Sequence, residues 1–325
     1  MKYFYLLLSA FISFTLNSQQ VWQAADLRIR DPFIFADSAS GTYYLYRSGR
    51  AEINGSMQNV VDVFTGKDLK TWNGPSSCFI LPENFWATNM IWAPEMHKYQ
   101  GKYYLFVTFT SFDTLLSTPE NPAKPARYKP FKRGTQVLWS DSPSGPFHIL
   151  DNRSTTPQDW MCLDGTFYEE DGIPYMIFCH EWLQINDGTV NAVRLKSDLS
   201  AMEGAPFVLF KASDAPWVVV KPQGNVTDGP FMYRTKSGKL LMIWSSFGKS
   251  GYAELIAYSE SGKIAGPWKQ LPEPLFTEDG GHGMIFKTFE GNLMFVYHQP
   301  NKSPDERLKL IQLDDPGNMI SKAKP

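Results

Sequence analysis

The chain has 325 residues, 43% of them hydrophobic and 20% charged, enough to build the core of one large domain or two ordinary ones. Its net charge is −2, with no basic block and no long charged tail, which argues against nucleic acid as the main partner. Ten Trp, 15 Tyr and 23 Phe provide filling for a sheet core and stacking surface for flat apolar ligand faces such as sugar rings.

Residues Met1 to about Ser18 read as a secretory signal: Lys2 is the charged start, Tyr3 to Leu16 the apolar run, and small polar residues follow. That run is too short for a membrane span, and no later stretch is apolar for long enough. The expectation is signal 1–18 followed by one exported domain, 19–325, with no membrane insertion. Cys78, Cys162 and Cys179 are odd in number and lack metal spacing, so they read as small buried hydrophobes.

After a lead-in at Val21 to Leu27, a short motif, a glycine turn and a hydrophobic strand recur five times. Asp31 precedes Gly41 to Tyr46, and Trp92-Ala93-Pro94-Glu95 precedes Gly101 to Phe106. Asp164-Gly165-Thr166 precedes Gly172 to Phe178, and Asp228-Gly229-Pro230 precedes Gly238 to Trp244. His282-Gly283 precedes Gly291 to Tyr297. Third strands follow, as in Val60 to Phe64, Gln136 to Ser140, Asn191 to Leu195 and Leu255 to Tyr258. Most run into a Gly-Pro-aromatic corner and a short outer strand. Leu308 to Leu313 is a strand of the last unit, and whether the lead-in pairs with it is open. Short strands without a helical period, four to a unit and five units in all, predict an all-β, five-bladed β-propeller. Thr118 to Lys132 and Asp214 to Gln223 read as rim insertions.

In a propeller the innermost strands line the channel and run the same way, so their first residues meet at one mouth. Those residues are Asp31, Glu95 or its neighbours, Asp164, Asp228 and His282. Aspartates gathered by symmetry are costly to keep ionised together, which points to use. Second strands return to that mouth. Their ends are neutral at Ser48, Thr108, Ser245 and His298, whereas the third unit carries Glu181, with Trp182 beside it as a wall. Carboxylates with no nucleophile elbow, phosphate loop or zinc spacing suggest glycoside hydrolysis by an acid and a base, with a third carboxylate tuning the acid.

Arg30-Asp31-Pro32-Phe33, Trp92 to Glu95, Leu163 to Thr166, Asp228 to Pro230 and Gly281 to Gly283 together resemble glycoside hydrolase family 43 over nearly the whole mature chain. The resemblance implies an inverting α-L-arabinofuranosidase, β-xylosidase or arabinanase. It implies Asp31 as general base, Asp164 as the residue tuning the acid, and Trp92 as a sugar-binding wall. It also implies His282 beside a calcium ion or water cluster, and Arg307 as a substrate contact. No cofactor is expected for the chemistry itself. One departure is that Asp228 stands where the family usually has Glu before Gly-Pro, and it reaches about 1.5 Å less far. Inverting enzymes accept a carboxyl separation of about 6.5–9.5 Å. Either Asp228 or Glu181 is therefore the acid. The resulting expectation is an exo-acting glycosidase on arabinose- or xylose-containing plant polysaccharide. The rivals are a non-catalytic glycan-binding propeller and a sugar phosphorylase, which needs a basic phosphate pocket that these acidic openings lack.

Overall fold

The computed structural model describes residues 20–324, and the predicted signal segment lies outside the described residues. Five antiparallel sheets make up the described chain. Their inner strands are Phe33–Asp37, Met90–Tyr99, Cys162–Glu170, Asp228–Arg234 and Gly281–Lys287. Each inner strand turns back into a second strand at a glycine named above: Gly41, Gly101, Gly172, Gly238 and Gly291 all have φ between 58° and 88°. That left-handed turn suits glycine, which has no Cβ to clash. The third and outer strands then follow in sequence order, giving the predicted five blades.

The lead-in does not join the last blade. Val21–Gln23 pairs with Thr71–Ile80, the outer strand of the first blade, which is thus five-stranded. Arg307–Asp314 is the third strand of the last blade, and Ser321–Lys322 its outer strand. The ring closes by packing: Leu27, Ile29 and Phe33 of the first blade share one apolar cluster with Met284, Val296 and Leu308 of the last. The Leu308 amide donates to the Leu27 carbonyl across this seam (3.2 Å), and Arg28 pairs with Glu306 (3.2 Å).

Among the described residues one short helix, Trp182–Ile185, and two 3-10 turns interrupt the β pattern. The rim insertion of the second blade crosses to its neighbours. Lys124 Nζ donates to the Trp182 and Leu183 carbonyls (3.1 and 2.8 Å), and Asn121 donates to Asn186 Oδ1 and the Pro222 carbonyl (2.9 and 3.0 Å). The two predicted insertions therefore meet over the third blade. Cys78, Cys162 and Cys179 are free and buried. No helix of the described residues is long and apolar enough to cross a membrane.

Candidate active site

A break in strand register aims the site residues. In blades two to five the inner strand slips against its partner between Trp92 and Glu95, Leu163 and Thr166, Asp228 and Phe231, and Gly281 and Met284. Within each bulge one residue has φ between 42° and 54°: Ala93, Asp164, Gly229 and His282, with Asp31 at 50° in the first blade. A bulge bends the strand and re-aims a side chain. Asp31, Asp164 and His282 thus hold one repeated position, whose other two occupants are Ala93 and Gly229.

This narrows one expectation, Glu95 or its neighbours, and corrects another. The second-blade residue at this position is Ala93; Glu95 is buried and faces His97 (3.3 Å). Asp228 lies one residue before the bulge position, in register with Trp92 and Leu163. A side chain at Gly229 is disfavoured, since a Cβ would lie 2.6 Å from His282 Cδ2. Its amide donates to Asp164 Oδ2 (3.1 Å).

Second-strand ends hold these bulges from the neighbouring blade. Thr108 Oγ1 accepts the Asp164 amide (2.8 Å), Ser245 Oγ the His282 amide (2.7 Å), and His298 Nδ1 the Asp31 amide (3.3 Å). In the sequence these residues stood out only as neutral. Their shared place in the repeat was the signal.

Asp31, Asp164, Asp228, Glu181, Trp92, Trp182 and His282 all line one cavity of about 560 Å³. Arg307 does not line it. Its guanidinium turns back onto the Pro304 and Glu306 carbonyls (3.1 and 2.9 Å). The arginine at the mouth is Arg30, which donates to Asn301 Oδ1 (2.6 Å). Tyr128 and Phe247 complete the aromatic wall, and Asn301 and Ser303 the polar rim.

His282 Nδ1 lies 3.2 Å from Asp31 Oδ1 and 3.8 Å from Asp164 Oδ2. His298 Nδ1 is 3.3 Å from both the Asp31 amide and Asp31 Oδ1, and a neutral ring serves one of them at a time. Its Nε2 faces Asn301 Oδ1 (3.2 Å), which suits the tautomer that accepts from the amide. Asp31 Oδ1 is enclosed between the two imidazoles without a hydrogen bond of regular geometry. Burial favours a neutral Asp31, but the charge of His282, with that of Arg30 adding, opposes it, and the carboxyl is held well below its usual range. Burial and the charge of Asp31 push Asp164 well up. Burial and the charge of Asp164 push Asp228 up to about 7. The Tyr252 hydroxyl occupies Asp228 Oδ2 (3.0 Å), which leaves Oδ1 to carry the proton. One mouth thus holds an ionised carboxylate and a protonated one, the pair that an inverting glycosidase needs.

Glu181 has a different setting. It is buried against Arg133, whose guanidinium also lies 4.0 Å over the Trp92 ring and donates to Thr110 Oγ1 (2.8 Å). Burial raises Glu181 and Arg133 opposes that shift. A proton on Glu181 would leave a buried guanidinium without its counter-charge.

Calcium takes six to eight oxygen ligands. Among the described residues no group of three or more His, Cys, Asp or Glu is arranged to hold a metal ion, and His282 Nδ1 is turned to Asp31. Among the described residues the side chains alone do not supply a calcium cage.

An endo-arabinase structure from Bacteroides thetaiotaomicron VPI-5482 is 42% identical, with TM-score 0.78, over 91% of this chain and 98% of that one. The extracellular endo-alpha-(1->5)-L-arabinanase 1 of Bacillus subtilis (strain 168) is 25% identical over 277 residues, 80% of this chain and 73% of the relative. An alpha-L-arabinofuranosidase structure from Lactobacillus brevis, 18% identical with TM-score 0.70 over 94% and 98% of the two chains, shares the fold. The description of glycosyl hydrolases family 43 matches residues 4–313, and the chain belongs to that family of glycoside hydrolases.

Proposed function

We propose that this glycoside hydrolase is an exported endo-arabinanase in which Asp31 is the general base and Asp228 the general acid. Asp31 takes a proton from the attacking water while Asp228 Oδ1 protonates the leaving glycosidic oxygen. Whenever Asp164 is ionised its charge raises Asp228, and through the Gly229 amide it fixes the backbone next to it. His282 holds Asp31 ionised. The carrying observation is the opposite electrostatic setting of Asp31 and Asp228 in one cavity. Glu181 acts with Arg133 and Trp92 as a wall for the sugar.

Endo action replaces the exo action expected from the sequence. It is supported by the two arabinanase relatives and by the shape of the cleft. A second cavity of about 200 Å³ continues from the first, sharing Tyr128, Trp182, Val226 and Phe247 with it. The cleft is thus longer than the first cavity alone, which suits a substrate of several sugars. Export follows the predicted signal and the extracellular relative.

Linear α-1,5-arabinan, arabinoxylan and aryl arabinofuranoside and xyloside should be compared with wild type, Asp31→Ala and Asp228→Ala. Early products of mixed length from arabinan, abolished in both variants, are expected. Release of arabinose alone from the first time point would overturn endo action, and wild-type turnover of the xylose substrates only would overturn the substrate.

A further inference from the structure

Two pairs of blades hold their bulges alike. In blade two, Thr108 Oγ1 accepts the Asp164 amide (2.8 Å) and Thr135 Oγ1 the Gly165 amide (3.0 Å). Blade four repeats this toward blade five: Ser245 Oγ accepts the His282 amide (2.7 Å) and Glu254 Oε2 the Gly283 amide (3.3 Å). Thr108 is paired with Thr135 across adjacent strands, and Ser245 with Glu254. Glu254 therefore stands in the place of Thr135. A neutral hydroxyl suffices in one blade, and the other uses a carboxyl that is 0% exposed.

Such a group is costly to bury, more so because Glu254 Oε1 has no hydrogen-bond partner. What the carboxyl adds is orientation. Ser245 donates its single hydroxyl proton to Glu254 Oε2 (2.7 Å), which turns its lone pairs to the His282 amide. Blade five presses onto the pair, since a Cβ on Gly281 would lie 2.6 Å from Ser245 Oγ and 3.1 Å from Glu254 Oε2. Asp228, Ser245 and Glu254 are abreast on three adjacent strands, so one row supports both Asp228 and the aim of His282.

We infer that Glu254 is a positioning residue for hydrolysis, acting through Ser245 and the Gly283 amide to fix the bulge that points the His282 imidazole at Asp31. This rests on the assignment of Asp31 as base. The titratable and charged groups facing Asp31 are His282, His298, Arg30, Asp164, Asp228 and Tyr252; those facing Glu254 are Asp228 and Tyr252.

The test is steady-state kinetics on arabinan across pH for Glu254→Ala, Ser245→Ala and Glu254→Gln, with NMR of the five histidine rings. Both alanine variants should keep KM and lose up to about 100-fold in kcat, the scale of a misplaced group. The acid limb of kcat/KM should move to higher pH, because a displaced His282 no longer holds Asp31 down. Glu254→Gln keeps an acceptor oxygen and should restore turnover, limb and His282 ring signals. The ring signals report the positioning even if wild type does not cleave arabinan, so failure of the substrate assignment stays separate. A folded Ser245→Ala or Glu254→Ala protein with an unmoved limb and unchanged His282 signals would overturn the inference. So would a Glu254→Gln variant as impaired as Glu254→Ala. If Glu254→Ala does not fold, Ser245→Ala decides.

Discussion

The hydroxyl of Tyr252 donates to Oδ2 of Asp228 across 3.0 Å, deep in the fourth blade. This bond favours the ionised carboxyl, so it restrains the rise that burial and Asp164 cause. Wild-type kcat/KM should fall as pH rises through about 7, the point where Asp228 gives up its proton. Removing the hydroxyl in Tyr252→Phe should move that alkaline limb upward. Loss of one hydrogen bond, about 1–1.5 kcal/mol, should lower kcat about tenfold. A pH profile of the two proteins checks both, and an unmoved limb would show that Asp228 is not the group being titrated.

Stability should carry the same signature. Asp228 and Glu254 keep their protons to about 7 and about 8 in the folded protein, against 3.8 and 4.5 when exposed. A carboxyl raised by folding stabilises fully below its unfolded pKa, and that contribution is lost as pH climbs through the folded value. Asp31, shifted the other way, destabilises only in strong acid. The Tm should therefore decline from pH 5 to pH 9. Asp228→Asn, neutral throughout, should show a shallower decline in the same scan.

The fold and half of the site could be read from the chain because both repeat. Asp31, Asp164 and His282 occupy one place in the blade, and each of the five turn glycines follows that place by 8 to 10 residues. What escaped was whatever crosses between blades. Asp228 resembled the other aspartates in its motif, but the bulge fell on Gly229, where the His282 ring leaves no room for a side chain. Thr108, Ser245 and His298 looked like plain strand ends because their partners are amides of the next blade. Arg307 matched a family position, yet its side chain is spent on its own loop. The lead-in strand had two possible edges to join, and pairing alone did not distinguish them.

Glu181 separates a structural carboxylate from a catalytic one. In Glu181→Gln the buried Arg133 loses its counter-charge, and breaking such a pair costs about 3–5 kcal/mol. Thermal unfolding should register that loss, and KM should rise because the Arg133–Trp92 stack loosens. The alkaline limb should stay where Asp228 sets it. Disappearance of that limb in Glu181→Gln would transfer the role of acid to Glu181.

Gly229 tests whether the bulge itself organises the site. At φ +50° an added Cβ costs about 1–2 kcal/mol in backbone strain, and it also meets His282 Cδ2 at 2.6 Å. Gly229→Ala should therefore destabilise the protein and, by displacing His282 and the amide that reaches Asp164, lower kcat by up to about 100-fold. Gly238 is the control. It has φ +88° at the opposite end of the same blade, with nothing within 4 Å of an added methyl group. Gly238→Ala bears the backbone strain without the contact, so it should lower Tm and leave kcat at the wild-type value. Equal loss of kcat in both variants would mean that activity follows blade stability, and the aim of His282 would then not be what the bulge supplies.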